Sequence, residues 1–201
     1  MERLTITTGS FEVNTSILSE NGRAWIVDPG GEAERIISLL AKKGLEPAGI
    51  LLTHAHFDHI GGVNALQAAF PDLKLTIHRD EVPVITHPMN SMPPDYPPVA
   101  MPKNIVHSSD APGCEIIETP GHTPGGVSYY FPEEKLLLAG DTLFAGSVGR
   151  TDLPGGDMTV LMRSLGKLAL LPDDALVVPG HGPHTSIGAE KMSNPFLLQQ
   201  V

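Results

Sequence analysis

A chain of 201 residues, 41% hydrophobic and 18% charged, matches one soluble globular domain with a full core and excludes a disordered chain. Thirteen Lys and Arg against 23 Asp and Glu leave a formal net charge of −10, and with no basic run this argues against nucleic acid as a partner. A single cysteine rules out an internal disulfide, and neither a basic-then-apolar leader nor an apolar run near ~20 residues is seen, so the expected setting is cytoplasmic with no membrane partner.

The first third alternates strands and helices. Leu4–Thr8, Val13–Ser19 and Ala24–Asp28 read as strands, the last two joined across Asn21-Gly22, a hairpin signal. Glu32–Lys43 has Ala33, Ile36, Ile37 and Leu40 at helical spacing, acids in its first turn, Lys42 and Lys43 in its last, and Gly44 as a stop. A short strand over Gly49–Thr53 follows, then a helix over Gly62–Phe70 and a strand over Leu73–His78. Pro88–Pro102 is Pro-rich and aperiodic, an ordered loop or lid rather than a linker. Strands return at Glu115–Thr119, Val127–Phe131, Lys135–Ala139 and Leu176–Val178, and Asp157 caps a helix running to Leu170. Cys114 reads as a buried thiol at the start of a strand.

Four of these strands run directly into metal-ligand residue types. Gly49–Thr53 leads into His54-Ala-His56-Phe-Asp58-His59, Glu115–Thr119 into Pro-Gly-His122, Lys135–Ala139 into Gly140-Asp141, and Leu176–Val178 into Pro-Gly-His181. Strands of a common sheet deliver their ends to one edge, where such residues converge. Four ligands within six residues crowd a single ion, because neighbouring side chains point apart, and suit two adjacent ions instead. Imidazole and carboxylate select divalent Zn²⁺, Fe²⁺ or Mn²⁺ over soft, thiolate-loving metals. Two such ions ~3.5–4 Å apart trap a water and lower its pKa toward neutral. The reading is a metal-dependent hydrolase. His78, His87, His107 and His184 join no cluster and read as structural or solvated. For Asp28, in Val-Asp-Pro-Gly-Gly, turn capping is favoured over a hydrogen bond to a ligand histidine.

Thr53-His-Ala-His-Phe-Asp-His59, with Pro120-Gly-His-Thr-Pro, Gly140-Asp-Thr and Pro179-Gly-His-Gly, resembles the metallo-β-lactamase superfamily from Asp28 to the Asn194-Pro-Phe tail. The resemblance implies an α+β fold, a four-layer αββα sandwich formed as a single domain over 1–201, with the metals at one edge. Carried over, His54, His56 and His122 would hold one metal, Asp58, His59 and His181 the other, and Asp141 would bridge them; Zn²⁺ is the first expectation, with Fe or Mn as alternatives. An Asp bridge, together with Leu143–Gly156, is similar to the glyoxalase II group. That group's C-terminal helical extension, which binds glutathione, has no counterpart after His181, so the likeness is to its short relatives. Arg150 matches a glutathione-contacting Lys, with a structural ion pair as the competing role.

The leading expectation is therefore hydrolysis of a small-molecule thioester such as S-lactoylglutathione. A metal-bridging hydroxide would attack the carbonyl, and Asp58 would orient it as well as ligate. A thiol with a pKa near ~8.5 leaves without a dedicated acid. A second expectation is a persulfide dioxygenase, a related family that shares the loop and Gly149-Arg-Thr-Asp152 and uses one iron on residues matching His54, His122 and Asp141. A β-lactam hydrolase and a nuclease rank lower, as does a metal-binding protein without turnover. The oligomeric state is not written in these motifs.

Overall fold

The computed structural model describes residues 1–94 and 96–198, so position 95 of the Pro88–Pro102 loop and positions 199–201 of the expected domain lie outside the described residues. The chain folds as two compact units, Met1–Pro112 and the part from Gly113 onward.

The first unit is built on a six-stranded sheet in sequential order. β1 (Glu2–Thr8), β2 (Val13–Glu20) and β3 (Arg23–Val27) are antiparallel neighbours. The expected hairpin joins β2 to β3, with Asn21 and Gly22 both at positive φ (51° and 78°) as a tight turn between twisted strands requires. From there the sheet turns parallel through β4 (Glu46–Leu51), β5 (Leu75–Thr76) and β6 (Ile105–Val106). Parallel strands need crossovers, and helices supply the first two. α1 (Ala33–Lys43) links β3 to β4, buries Ala33, Ile36 and Leu40, and ends at Gly44 in the left-handed region. α2 (Phe57–Ile60) and α3 (Val63–Ala69) link β4 to β5. These apolar faces join Ile17, Ile26, Ile50, Leu52, Leu75 and Ile77 in one core, each fully buried aliphatic contributing about 1.5–3 kcal/mol. Trp25, 1% exposed, donates its indole N–H to Asp110 at 3.0 Å, and the Arg23 guanidinium lies over its ring.

Two parts of this unit differ from expectation. Leu73–His78 is a strand only at Leu75–Thr76. A 3₁₀ turn over Arg79–Glu81 and then α4 (Val82–Ile85) follow, where Pro83 sits at a helix start that tolerates its missing N–H. β6 lies just beyond the Pro-rich stretch, too short to produce an alternation. Within that stretch, Met92 and Tyr96 form an isolated antiparallel bridge.

The second unit holds a five-stranded sheet ordered β13-β12-β9-β8-β7. β7 (Glu115–Glu118), β8 (Val127–Phe131) and β9 (Leu136–Gly140) form an antiparallel meander, β12 (Leu176–Pro179) runs parallel to β9, and β13 (Thr185–Ser186) closes the edge. β7 therefore points the same way as β9 and β12. β10 (Leu143–Phe144) and β11 (Ser147–Val148) form a separate small hairpin. α5 (Met158–Leu168) begins at Asp157, whose carboxylate accepts the Val160 N–H, and buries Leu161, Leu165 and Leu168 against Leu137, Ala139 and Val177. α6 (Ile187–Ser193) was not anticipated; it starts at Ser186, a capping residue whose signal falls inside an otherwise polar stretch. Cys114 is only half-buried and precedes β7, an edge strand exposed along most of its length, so the expected buried thiol is not what the fold gives.

Candidate metal centre

In the first unit the ligand residue types follow β4. His54, Asp58 and His59 are buried and His56 is half-buried. Ligand atoms of His54 lie within 4.8 Å of those of His56 and of His59, and those of Asp58 within 4.8 Å of those of His59. The loop closes onto α2, with the His56 carbonyl accepting the His59 N–H.

The Asp28 carboxylate bonds to residues far along the chain. Asp28 follows β3 directly at φ 47°, the left-handed region that Asp tolerates better than most residues, beside the end of β4. Its carboxylate accepts the Thr53 N–H at 2.8 Å, the Thr53 hydroxyl at 2.6 Å and His59 Nδ1 at 3.0 Å. The bond observed is to His59 rather than within the turn. It assigns the His59 proton to Nδ1 and leaves Nε2 unprotonated, as ligation of a metal would require. The Thr53 hydroxyl spends its one proton on Asp28, so at His54 it accepts from Nδ1 (3.0 Å), which leaves Nε2 the unprotonated nitrogen there too. Gly30 is required nearby because a Cβ would run into the Asp58 carbonyl.

In the second unit three strand ends supply His122, Asp141 and His181. The β9–β12 register aligns Gly140 with Pro179, and the Gly180 N–H bonds to the Gly140 carbonyl at 2.8 Å, so Asp141 and His181 leave adjacent parallel strands side by side. His122 donates Nδ1–H to the Arg150 carbonyl at 2.7 Å. Asp141 Oδ2 then stands 3.6 Å from His122 Nε2 and 3.7 Å from His181 Nε2. Both separations exceed a hydrogen bond. They approach the ~3.4 Å between two ligand atoms that each lie ~2.1 Å from one tetrahedral ion. One carboxylate oxygen poised between two imidazoles in this way fits divalent ions on either side of it. Gly149 permits the arrangement, since any side chain there would strike the Asp141 carbonyl.

Arg150 behaves differently from the ligands. Its exposed guanidinium makes a two-point ion pair with Asp152, at 2.7 and 2.8 Å. The Arg150 hydrogen bond holds the Asp152 carboxyl down at about 2, and the same bond raises Arg150. Among the described residues, His78, His87, His107 and His184 enter no group of metal-ligand atoms. His78 and His87 instead accept backbone N–H groups two residues on, and His107 bonds to the Ile77 carbonyl. No helix among the described residues is long and apolar enough to cross a membrane.

Sequence reasoning missed the residues that hold the ligand-bearing segments. Glu190, 2% exposed, accepts from Thr185, Gly146 and Asn194, and Asn194 donates to the Ser147 carbonyl, so α6 grips the β10–β11 hairpin. Glu81 and Asn90 do the same for the His54–His59 loop. Their sequence gives no signal beyond residue type, since Glu81 sits in the charged turn Arg79–Glu81 and Asn90 and Asn194 lie outside helices.

Residues 8–181 match the family model described as the metallo-beta-lactamase superfamily. The chain is 38% identical over 199 residues to a probable metallo-hydrolase, YqgX, of Bacillus subtilis, covering 94% of each. It is 36% identical over 199 residues to the hydroxyacylglutathione hydrolase GloC of Haemophilus influenzae, again covering 94% of each. Among solved structures it is similar to BLEG-1, a B3 metallo-beta-lactamase (39% identity, TM-score 0.88, 98% and 99% of the chains). It is also similar to TTHA1623 in a di-iron-bound form (37%, 0.87, 96% and 100%) and to ETHE1 from Myxococcus xanthus (26%, 0.77, 97% and 84%). With its strand ends, fixed imidazole tautomers and mixed sheets, the chain belongs to the metallo-beta-lactamase superfamily and has that α+β fold.

Proposed function

We propose that this chain is a dinuclear metallohydrolase that cleaves a thioester, with S-lactoylglutathione the first candidate. The observation that carries it is Asp141 Oδ2 standing between His122 and His181 at 3.6 and 3.7 Å, as a bridging ligand would. The likeness to GloC across 94% of both chains supports the substrate class, and the di-iron form of TTHA1623 supports a metal pair. In this reading His54, His56 and His122 would hold one ion, Asp58, His59 and His181 the other, and Asp141 would serve both. Zn²⁺ is the first choice, with Fe or Mn as alternatives.

When bound, such ions supply a hydroxide at neutral pH and polarise the thioester carbonyl. The chain's own residues do the rest. Asp28 and the Arg150 carbonyl keep His59 and His122 in the tautomer that ligates. Asp58, largely buried in α2 next to His59, would orient the nucleophile as well as ligate. The thiol departs as thiolate, so no acid is needed on the leaving-group side. Arg150 would contact an anionic thiol carrier, exchanging its bond to Asp152 for one to the substrate.

The test follows thioester absorbance of S-lactoylglutathione with protein of assayed metal content, before and after chelation. Chelator-sensitive cleavage at two metals per chain is expected. No cleavage by fully metallated protein overturns the substrate, and a cephalosporin run in parallel asks whether the likeness to BLEG-1 extends to β-lactams. Oxygen uptake with glutathione persulfide at one iron per chain would favour the dioxygenase reading, which the likeness to ETHE1 keeps in view.

A further inference from the structure

The ligand loop alternates: Ala55 separates His54 from His56, and Phe57 separates His56 from Asp58. The backbone of both spacer residues is held by one distant segment. Glu81, fully buried, accepts the Ala55 N–H at 2.8 Å. Asn90, 5% exposed, donates from Nδ2 to the Ala55 carbonyl at 2.8 Å and to the Ile85 carbonyl at 3.3 Å, while its Oδ1 accepts the Phe57 N–H at 2.8 Å. The peptide groups on both sides of His56 are thereby fixed by side chains 26 to 35 positions along the chain from the groups they hold.

A loop of this length has no ladder of its own to set its dihedrals. Consecutive ligands must splay at defined angles, and small rotations of the flanking peptides swing each imidazole. Glu81 and Asn90 are costly to bury, yet neither lies within the ligand set. We propose that Asn90, with Glu81, is a positioning pair that sets the geometry of the His54–His59 loop and so governs how tightly the metal served by His56 is held. This rests on the reading that the loop binds metal.

The experiment compares the full chain with Asn90→Ala and, as a matched control, Gln67→Ala. Gln67 is another buried amide of the same unit; it bonds to the backbone of Leu73 and Lys103 rather than to the loop. Zn²⁺ affinity is read by competition with a chromophoric chelator, and ligand geometry by the visible bands of the Co²⁺-loaded proteins. Asn90→Ala is expected to weaken Zn²⁺ binding about 10–100-fold and to shift the Co²⁺ bands, with Gln67→Ala at wild-type values. Asn90→Asp keeps the acceptor for Phe57 and loses the donor to Ala55, so it falls between; it replaces the alanine variant if that one does not fold. Wild-type affinity and spectrum in the Asn90 variants overturn the proposal, as does equal weakening by Gln67→Ala, which would mean general destabilisation. Failure of the wild-type chain to bind Zn²⁺ or Co²⁺ overturns the metal reading itself, a separate result.

Discussion

The two units present residues of metal-ligand type by opposite means. In the first, four of them sit within six residues on one loop after β4, and that loop is gripped from outside by Asp28, Glu81 and Asn90. In the second, three come one each from the ends of β7, β9 and β12, and the sheet register alone sets Asp141 beside His181. A contiguous loop is economical in sequence but needs external hydrogen bonds to hold its dihedrals. Dispersed residues draw their precision from the ladder, with the Arg150 carbonyl holding His122 in addition.

The comparison can be broken most severely at the loop. Asp58→Ala should lower kcat by ~10²–10⁴-fold in a thioester assay with metal content measured alongside. Full activity at two metals would remove Asp58 from the chemistry. Next, Asp28→Asn keeps a left-handed backbone and most of the shape but weakens the hold on His59 and Thr53. Metal affinity should drop about 10–100-fold by chelator competition, with little change in fold by circular dichroism. An unchanged affinity would mean that the loop does not need its carboxylate clamp.

The second unit should respond through stability instead. Glu190→Ala strips acceptors from Gly146, Thr185 and Asn194 and should cost about 1–3 kcal/mol in denaturant unfolding. A larger loss of metal affinity than of stability would show that the hairpin does more than pack. The smallest effect belongs to Asp152→Asn. The Asp152 carboxyl is depressed to about 2 by Arg150, so the pair is intact above the ordinary carboxylate range and is lost only as pH falls through that value. Both groups are exposed, so the thermal midpoint should not move. Releasing Arg150 should lower KM for an anionic thioester equally across the neutral range; an unchanged KM argues against a substrate contact.

Much of this was legible in the sequence, and the reasons are local. Asn21-Gly22, the acid-to-base polarity of α1 and the Asp157 cap each act within a few residues, so each element appeared where expected. The ligand types were readable because they follow strand ends directly. What stayed hidden depends on distant partners. Glu81 and Asn90 look like ordinary polar residues until the fold places them against Ala55 and Phe57. Asp28 read as a turn former because its bond to His59 spans 31 positions. β6, β10, β11 and β13 are two residues long and exist only because a neighbour pairs with them.

The indole of Trp25 has a practical consequence. It is the only tryptophan in the chain, and every contact described for it lies in the first unit. Emission excited selectively at tryptophan therefore reports the melting of that unit, whereas backbone circular dichroism averages over both. If the two signals trace one curve during denaturation, the chain unfolds as a single cooperative body; if emission moves first or last, the units come apart separately.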